Sequence, residues 1–428
     1  MRRVVDVSNP EGAASPVDIE PVSAAWTAVF SLAMGVFGLL TAEYLPASLL
    51  TPMAAALHVS EAMAGQAVTV TAVVALFAGL LVPGLTRGLD RRTVLLGFST
   101  LMIVSNLLVA ASSDMWVLLL MRVLLGVALG GFWSMAAAVA MRLVPTALLP
   151  RALSIIFSGI AVGTVVAVPL GSYLGGQFGW RSAFLAAAAV GVLTLAFQWF
   201  TLPRMAPRRP ARLRTILDVL LRPGIALGMF GCILAHTGHF ALFTYIRPFV
   251  ESTTGVGTNG LALMLLGFGV ANFVGTMLAG WLMQRSLSVT LALMPALVGC
   301  SALAMALFPA SISGQAALVA AWGLAFGGVP VAWSNWVARA VPDQAESAGG
   351  MVVASVQSSI AMGAAAGGAM FSLTGIEGVF IAGGCLMLLA GLFIWMRVRG
   401  AYPHGSNGPH GSHGSHRPHA SHGPDTAA

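Results

Sequence analysis

Charge is what this sequence has least of. Of its 428 residues, 8% are Asp, Glu, Lys or Arg, where a soluble protein carries about 25%. Hydrophobic residues make up 57% and the mean hydropathy is +0.88. A water-soluble chain is thereby excluded, and an integral membrane protein is indicated. Lysine is absent: all 21 basic residues are arginine, a compositional bias to which no mechanism attaches. The net charge of +7 does not indicate a nucleic-acid partner, because the arginines lie between apolar runs and form no single patch. Cysteine is scarce. Cys232, Cys300 and Cys385 each sit in an apolar segment, and an odd number so placed argues against a disulfide framework. They read as small buried hydrophobes. The period-two alternation of a membrane barrel is also missing, which leaves helices to satisfy the backbone in lipid. The opening MRRVVDVSNPEGAASPVDIEP has no contiguous apolar core of the secretory type, so the first apolar run is expected to stay as a membrane helix.

What is present is a series of long apolar runs. A helix needs about 20 mostly apolar residues to cross a hydrocarbon core of roughly 30 Å. Twelve stretches qualify: 26–50, 67–86, 94–111, 116–140, 152–175, 183–202, 223–246, 261–284, 287–308, 315–338, 349–373 and 378–397. The expected fold is an all-α membrane protein of twelve transmembrane helices in two six-helix, pseudo-symmetric bundles. The expected divisions are a cytoplasmic tail (1–25), a first bundle (26–203), a cytoplasmic linker (204–222), a second bundle (223–397) and a tail (398–428). With both termini inside, 18 of the 21 arginines fall on inside segments, Arg122, Arg181 and Arg247 being the exceptions. The positive-inside rule favours that orientation. The halves also repeat. ALGGFWSMAAAVAMRLVP (128–145) and AFGGVPVAWSNWVARAVP (325–342) match in register at an offset of 197, in spans four and ten. Parallel halves are an established transporter plan. The last tail, with His410, His413, His416, His419 and His422 at every third position, is low-complexity and reads as a dispensable polar segment. Transient binding of a transition metal is its other reading.

Within the spans Glu43 is the lone carboxylate, set in GLLTAEYLPASLLTPMA, and Arg122 is the clearly internal arginine. Intramembrane ionisable groups are functional candidates by default. Glu43 lies 17 residues past Trp26, about 25 Å along a helix. Arg122 lies six residues past Trp116, about 9 Å in from the other face. Both therefore fall in the outer half of the membrane, where they are able to meet. Burial and a nearby guanidinium pull such an acid's protonation in opposite directions, as a proton-coupled exchanger requires; a permanent salt bridge is the alternative reading. In span seven His236 and His239 share a helix face, with Thr244 and Tyr245 beyond them. His239 is read equally as a ligand contact or as packing. Phe132 and Trp133 in span four and Trp333 and Trp336 in span ten are candidates to stack a planar ring or to pack between helices. Asn106, Asn272, Asn335 and Gln357 are large polar groups inside spans, suited to join helices or meet a solute. Trp26, Trp116, Trp180, Trp199, Trp281, Trp322 and Trp395 fall near span ends, as an interfacial belt would. No nucleophile–base pair, dense metal-ligand cluster or phosphate loop lies in the spans, so neither an enzyme nor a cofactor or metal is expected.

The twelve spans, the arginine of span four followed by glycines, and the VPLGSYLGG stretch of span five (168–176) resemble the major facilitator superfamily, in particular its drug:proton antiporter branch. That branch carries a Gly-x-x-x-Asp-Arg-x-Gly-Arg-Arg signature after span two. Here Asp90, Arg91 and Arg92 remain, the leading glycine falls at Thr86, and the second half is missing. Within the branch, AEYLPASLLTPMA, GQAVTVTA, LGGFWSM, GHFALFTYIRPF and DQAESAG resemble a group of bacterial exporters of sugars and purine ribonucleosides. The resemblance spans nearly the whole chain apart from the tails. It implies proton-coupled export of inosine- and guanosine-type nucleosides across the bacterial cytoplasmic membrane by a monomer. A gating role is implied for Asp90, Arg91 and Arg92. The residues alone leave sugar or multidrug antiport as the alternative, and a passive facilitator behind that.

Overall fold

The computed structural model describes residues 24–145, 148–206, 218, 220–308, 311–341 and 345–398. Nearly all of the expected N-terminal tail, most of the linker and the His-rich tail lie outside the described residues. The helices are α1 (Trp26–Ser48), α2 (Leu50–Ala56), α3 (Glu61–Leu85), α4 (Arg91–Ala111), α5 (Met115–Leu143), α6 (Leu149–Phe178) and α7 (Trp180–Thr201). After the linker come α8 (Ile225–Thr244), α9 (Ile246–Thr254), α10 (Thr258–Arg285), α11 (Leu287–Leu307), α12 (Ile312–Gly327), α13 (Val329–Ala340) and α14 (Ala345–Phe393). Among the described residues there is no strand.

The punctuation is local chemistry. Ser60, Asp90, Asp114, Ser286 and Ser311 each accept a backbone N–H at the start of a helix, satisfying donors a first turn leaves free. Gly179 and Gly375 take positive φ values, 81° and 76°, which cost a side-chain-bearing residue dearly. Gly375 decides the span count. Among the described residues eleven stretches are long and apolar enough to cross a membrane, and the last runs 49 residues, Gly350–Val398. That is about 73 Å of helix, more than twice the hydrocarbon thickness. The chain is non-helical at Gly375 and splits there into an inner-numbered arm and a returning arm, which makes twelve crossings in two bundles.

The repeat extends into packing. Gly126 and Gly130 of α5 lie so close to α3 that a Cβ would meet the carbonyls of Thr71 and Ala75. Gly323 and Gly327 of α12 press on α10 in the same way, against the carbonyls of Phe268 and Asn272. All four residue pairs are offset by the same 197. Backbone-to-backbone crossings of this kind are how membrane helices gain contact without a hydrophobic driving force.

The halves meet along two helix pairs, α3 with the first arm of α14 and α6 with α10. They are fastened at the end of the molecule where α1, α6 and α8 finish. There Arg247 Nη1 donates to the Ser48 carbonyl at 2.5 Å, and Gln177 Nε2 donates to Asn259 Oδ1 at 3.3 Å. Gly176 abuts Thr258, and Gly65 abuts the Tyr245 phenol.

Candidate functional site

Glu43 sits on α1, 3% exposed, with Oε1 lacking a hydrogen-bond partner among the described residues. Arg122, on α5, is fully buried. The two are brought together as expected, but not as an ion pair. The guanidinium is spent on neutral acceptors: Nη1 donates to the Ala42 carbonyl at 2.8 Å and Nε to Thr71 Oγ1 at 2.9 Å. Longer bonds reach the carbonyls of Ala67 and Glu43, both at 3.4 Å. Arg122 thus ties α1, α3 and α5 together and puts a positive charge beside the carboxylate without consuming its oxygens. Gln357 of the opposite half lies beside the same carboxylate, and its own Oε1 is without a partner among the described residues. The charge of a buried acid depends on the groups around it, here those that the two halves present.

The symmetry of the halves breaks at this point. At the offset of 197, Glu43 corresponds to Phe240, Arg122 to Val319, and Thr71 to Phe268. The second half holds an aromatic cluster where the first holds the polar trio. His239, the counterpart of Ala42, is inside that cluster. Its ring lies flat on Phe326, with centroids 3.2 Å apart and planes 3° apart, and Trp322 Nε1 donates to its Nδ1 at 3.1 Å. Phe243 stacks near it on the same helix at 5.4 Å, and Phe268 edges Trp322.

The remaining candidates fall into three groups. Tyr245 ends α8, fully buried, with its hydroxyl on the Ala364 carbonyl at 3.0 Å and its ring wedged between Gly65 and Gly367; it seals the fastened end. Phe132 is buried against Gly35, Trp133 stacks on Phe157 at 5.9 Å, and Trp336 packs on Gly228 and edge-on to Trp333. Asn335 is partly buried with Oδ1 unpaired, and Asn272 is partly buried, its carbonyl bonded by Thr276. Asp90, Arg91 and Arg92 form a clasp within the first half. Asp90 caps α4 through Arg92 N and receives Met205 N on both oxygens. Arg91 bonds Thr86, and Arg92 donates to the Trp199 carbonyl at 2.6 Å. The loop between α3 and α4 is thereby locked to the end of α7.

Two expected belt tryptophans are corrected. Trp322 is wholly buried in the aromatic cluster and Trp180 is buried against Phe184, because each faces its own bundle. Trp116, Trp199, Trp281 and Trp395 do face outward. Sequence reasoning also passed over Thr71, Tyr44 and Arg247. Thr71 and Tyr44 carry no local signal. Arg247 did carry one, as an exception to the arginine pattern.

Comparison with known proteins places this architecture. Residues 32–362 match the model of the Major Facilitator Superfamily. The purine ribonucleoside efflux pump NepI of Salmonella enteritidis PT4 (strain P125109) is 43% identical over 374 residues, 87% of this chain and 94% of that protein. Its namesake in Salmonella typhi has the same identity and coverage. Among solved structures, a D-xylose-proton symporter aligns with a TM-score of 0.72 at 19% identity, over 87% of this chain and 97% of its own. A bacterial homologue of the human lysosomal transporter Spinster aligns at 0.69 with 15% identity, over 88% and 97%. The chain belongs to the major facilitator superfamily and is a multi-pass membrane transporter, not an enzyme.

Proposed function

We propose that this transporter exports purine ribonucleosides such as inosine and guanosine in exchange for protons, by alternating access, with Glu43 as the proton site. The observation that carries the reading is a carboxylate sealed inside the protein, beside Arg122 yet unpaired with it, with Gln357 of the other half nearby. Because Arg122 is engaged with backbone carbonyls, Glu43 keeps a free oxygen to take a proton. Because Gln357 belongs to the opposite half, movement between halves changes what the acid meets. The nucleoside reading is supported by relatives 43% identical to this chain that are purine ribonucleoside efflux pumps.

The arginine distribution orients the fastened end outward, with both termini in the cytoplasm of a bacterial cell and the membrane its inner one. Protons entering from outside then load Glu43 and release solute there; loss of the proton to the cytoplasm resets the site. A neutral nucleoside exchanged for one proton moves one charge, worth about 2.3 kcal/mol per 100 mV. Aromatic rings of Trp133, Phe132 and Trp336 line candidate walls for the base, and Asn335, Asn272, Gln357, Tyr245 and His239 supply polar partners. The working unit is proposed to be a monomer, with Asp90, Arg91 and Arg92 steadying the cytoplasmic side during rocking.

Purified protein in proteoliposomes with an imposed pH gradient tests this. Wild type should move inosine against its gradient, ahead of arabinose and ethidium, and a protonophore should abolish accumulation. Glu43→Gln should lose gradient-driven transport. Accumulation by that variant at the wild-type rate sinks the proton assignment, and equilibration without any gradient identifies a facilitator instead.

A further inference from the structure

His236, one turn below His239 on α8, is 1% exposed and has a polar atom with nothing to bond. Its Nδ1 lies 2.8 Å from the Cys232 carbonyl, and a carbonyl only accepts, so Nδ1 carries the proton. In the neutral ring Nε2 is then a bare lone pair, and it has no partner among the described residues. Buried acceptors left unpaired are uncommon and call for an explanation.

The direction of the ring follows from the faces of α8 that are already occupied. Gly238 and Leu242 pack on the returning arm of α14 at Met387 and Gly383; Gly228 packs on Trp336. Gly363, on the first arm, sits on the backbone of residues 237 to 241. The remaining stripe is His236, His239 and Phe243, residues that share one helix face and meet Phe268 of α10 and Trp322 and Phe326 of α12. Its far end, Phe243, meets Tyr44 of α1 edge-on at 5.8 Å, one residue from Glu43. His236 therefore shares the face of α8 that lies against Phe326 of α12 and whose far end reaches Tyr44 of the first half. The Phe326 ring stands at its edge, 5.9 Å away at 79°, and Phe326 in turn is the ring stacked on His239. An aromatic wall beside one fixed acceptor suits a flat heterocycle that offers a ring N–H.

We propose that His236 Nε2 is the specificity-determining acceptor of this site, taking a hydrogen bond from the N1–H of a 6-oxopurine. The inference rests on the nucleoside reading above and narrows it. Inosine and guanosine carry that N–H. Adenosine presents a lone pair at N1, which opposes the lone pair of Nε2, and 1-methylinosine presents a methyl group. A site built around a hydrogen bond discriminates sharply against an analogue lacking the donor, since its own polar group is then stranded.

The probe is competition of unlabelled inosine, 1-methylinosine and adenosine against labelled inosine uptake in proteoliposomes. Wild type should favour inosine over 1-methylinosine on the order of tenfold or more. His236→Phe should bring that ratio to about one, chiefly through weaker inosine competition, while His236→Gln, which still offers an amide oxygen, should keep part of it. A structural role would lower uptake without altering the ratio. If wild type takes 1-methylinosine as readily as inosine, the assignment falls without recourse to any variant. It also falls if His236→Phe transports with the ratio unchanged. A wild type that carries no nucleoside at all removes the broader reading and this one with it, an outcome distinct from either of those.

Discussion

Arg247→Ala should open the fastened end of the molecule, and its effect is calculable from which of its bonds cross between halves. Arg247 is buried and makes two contacts: Nη1 to the Ser48 carbonyl, and Nη2 to Glu251 Oε1 at 2.9 Å. Glu251 is four residues along the same chain, in the same half, so that pair survives when the halves part. The bond to Ser48 joins the halves and is lost. A hydrogen bond from a charged donor is worth about 1.5–3 kcal/mol, which shifts the closed-to-open ratio roughly 10- to 140-fold. A further push comes from Glu61 on the first half, which feels both Glu251 and Arg247; without the guanidinium two carboxylates face each other unscreened. The assay is a disulfide across the seam. Gln177→Cys and Asn259→Cys replace a bonded pair at the fastened end, in a background with the exposed Cys300 and Cys385 changed to serine. Cross-linking should be fast in that background and slow markedly with Arg247→Ala. Glu251→Gln, which removes a bond inside one half and relieves the repulsion, should slow nothing. Equal cross-linking rates with and without Arg247, or slowing by Glu251→Gln, would refute the reasoning.

Gly130→Leu and Gly327→Leu should each cost several degrees of melting temperature in detergent, by comparable amounts, since each drives a side chain into the carbonyl of the helix it crosses. A loss at one and not the other would deny the structural repeat. Gly65→Leu should hold the halves apart by displacing the Tyr245 phenol, read as slowed cross-linking of the same cysteine pair while the melting temperature of each bundle is kept. Asp90→Ala removes a helix cap together with the Met205 contact and should destabilise by about 1–2 kcal/mol, measured by chemical or thermal unfolding. Arg122→Lys keeps the charge but cannot bond Ala42, Thr71 and Ala67 as a planar fork does; transport should fall at least tenfold in a protein that still folds.

Much was settled by residue pattern alone. The shortage of charge and the lengths of the apolar runs imposed twelve crossings, because lipid leaves the backbone no partner but itself. The offset repeat of AxGG…RxVP implied parallel halves, and the same 197-residue spacing recurs in the glycine crossings. Glu43 and Arg122 stood out as ionisable groups in lipid-length helices, and their rough depth was readable because helix rise is constant. What no linear pattern contained was the partner of each polar atom. Arg122 bonds carbonyls 55 to 80 positions away, and any carbonyl looks alike in a sequence. His236 and His239 share a helix face yet differ in role, one tied to Trp322 and Phe326, the other with a nitrogen unclaimed. Trp322 and Trp180 lay near span ends and turned inward, because rotation of a helix about its axis is set by its neighbours and not by its length. Composition and periodicity determined that the chain crosses the membrane and how often, since those are properties of each segment against solvent. The meeting of acid, guanidinium and opposite half was decided only by tertiary packing, since it depends on contacts between segments far apart along the chain.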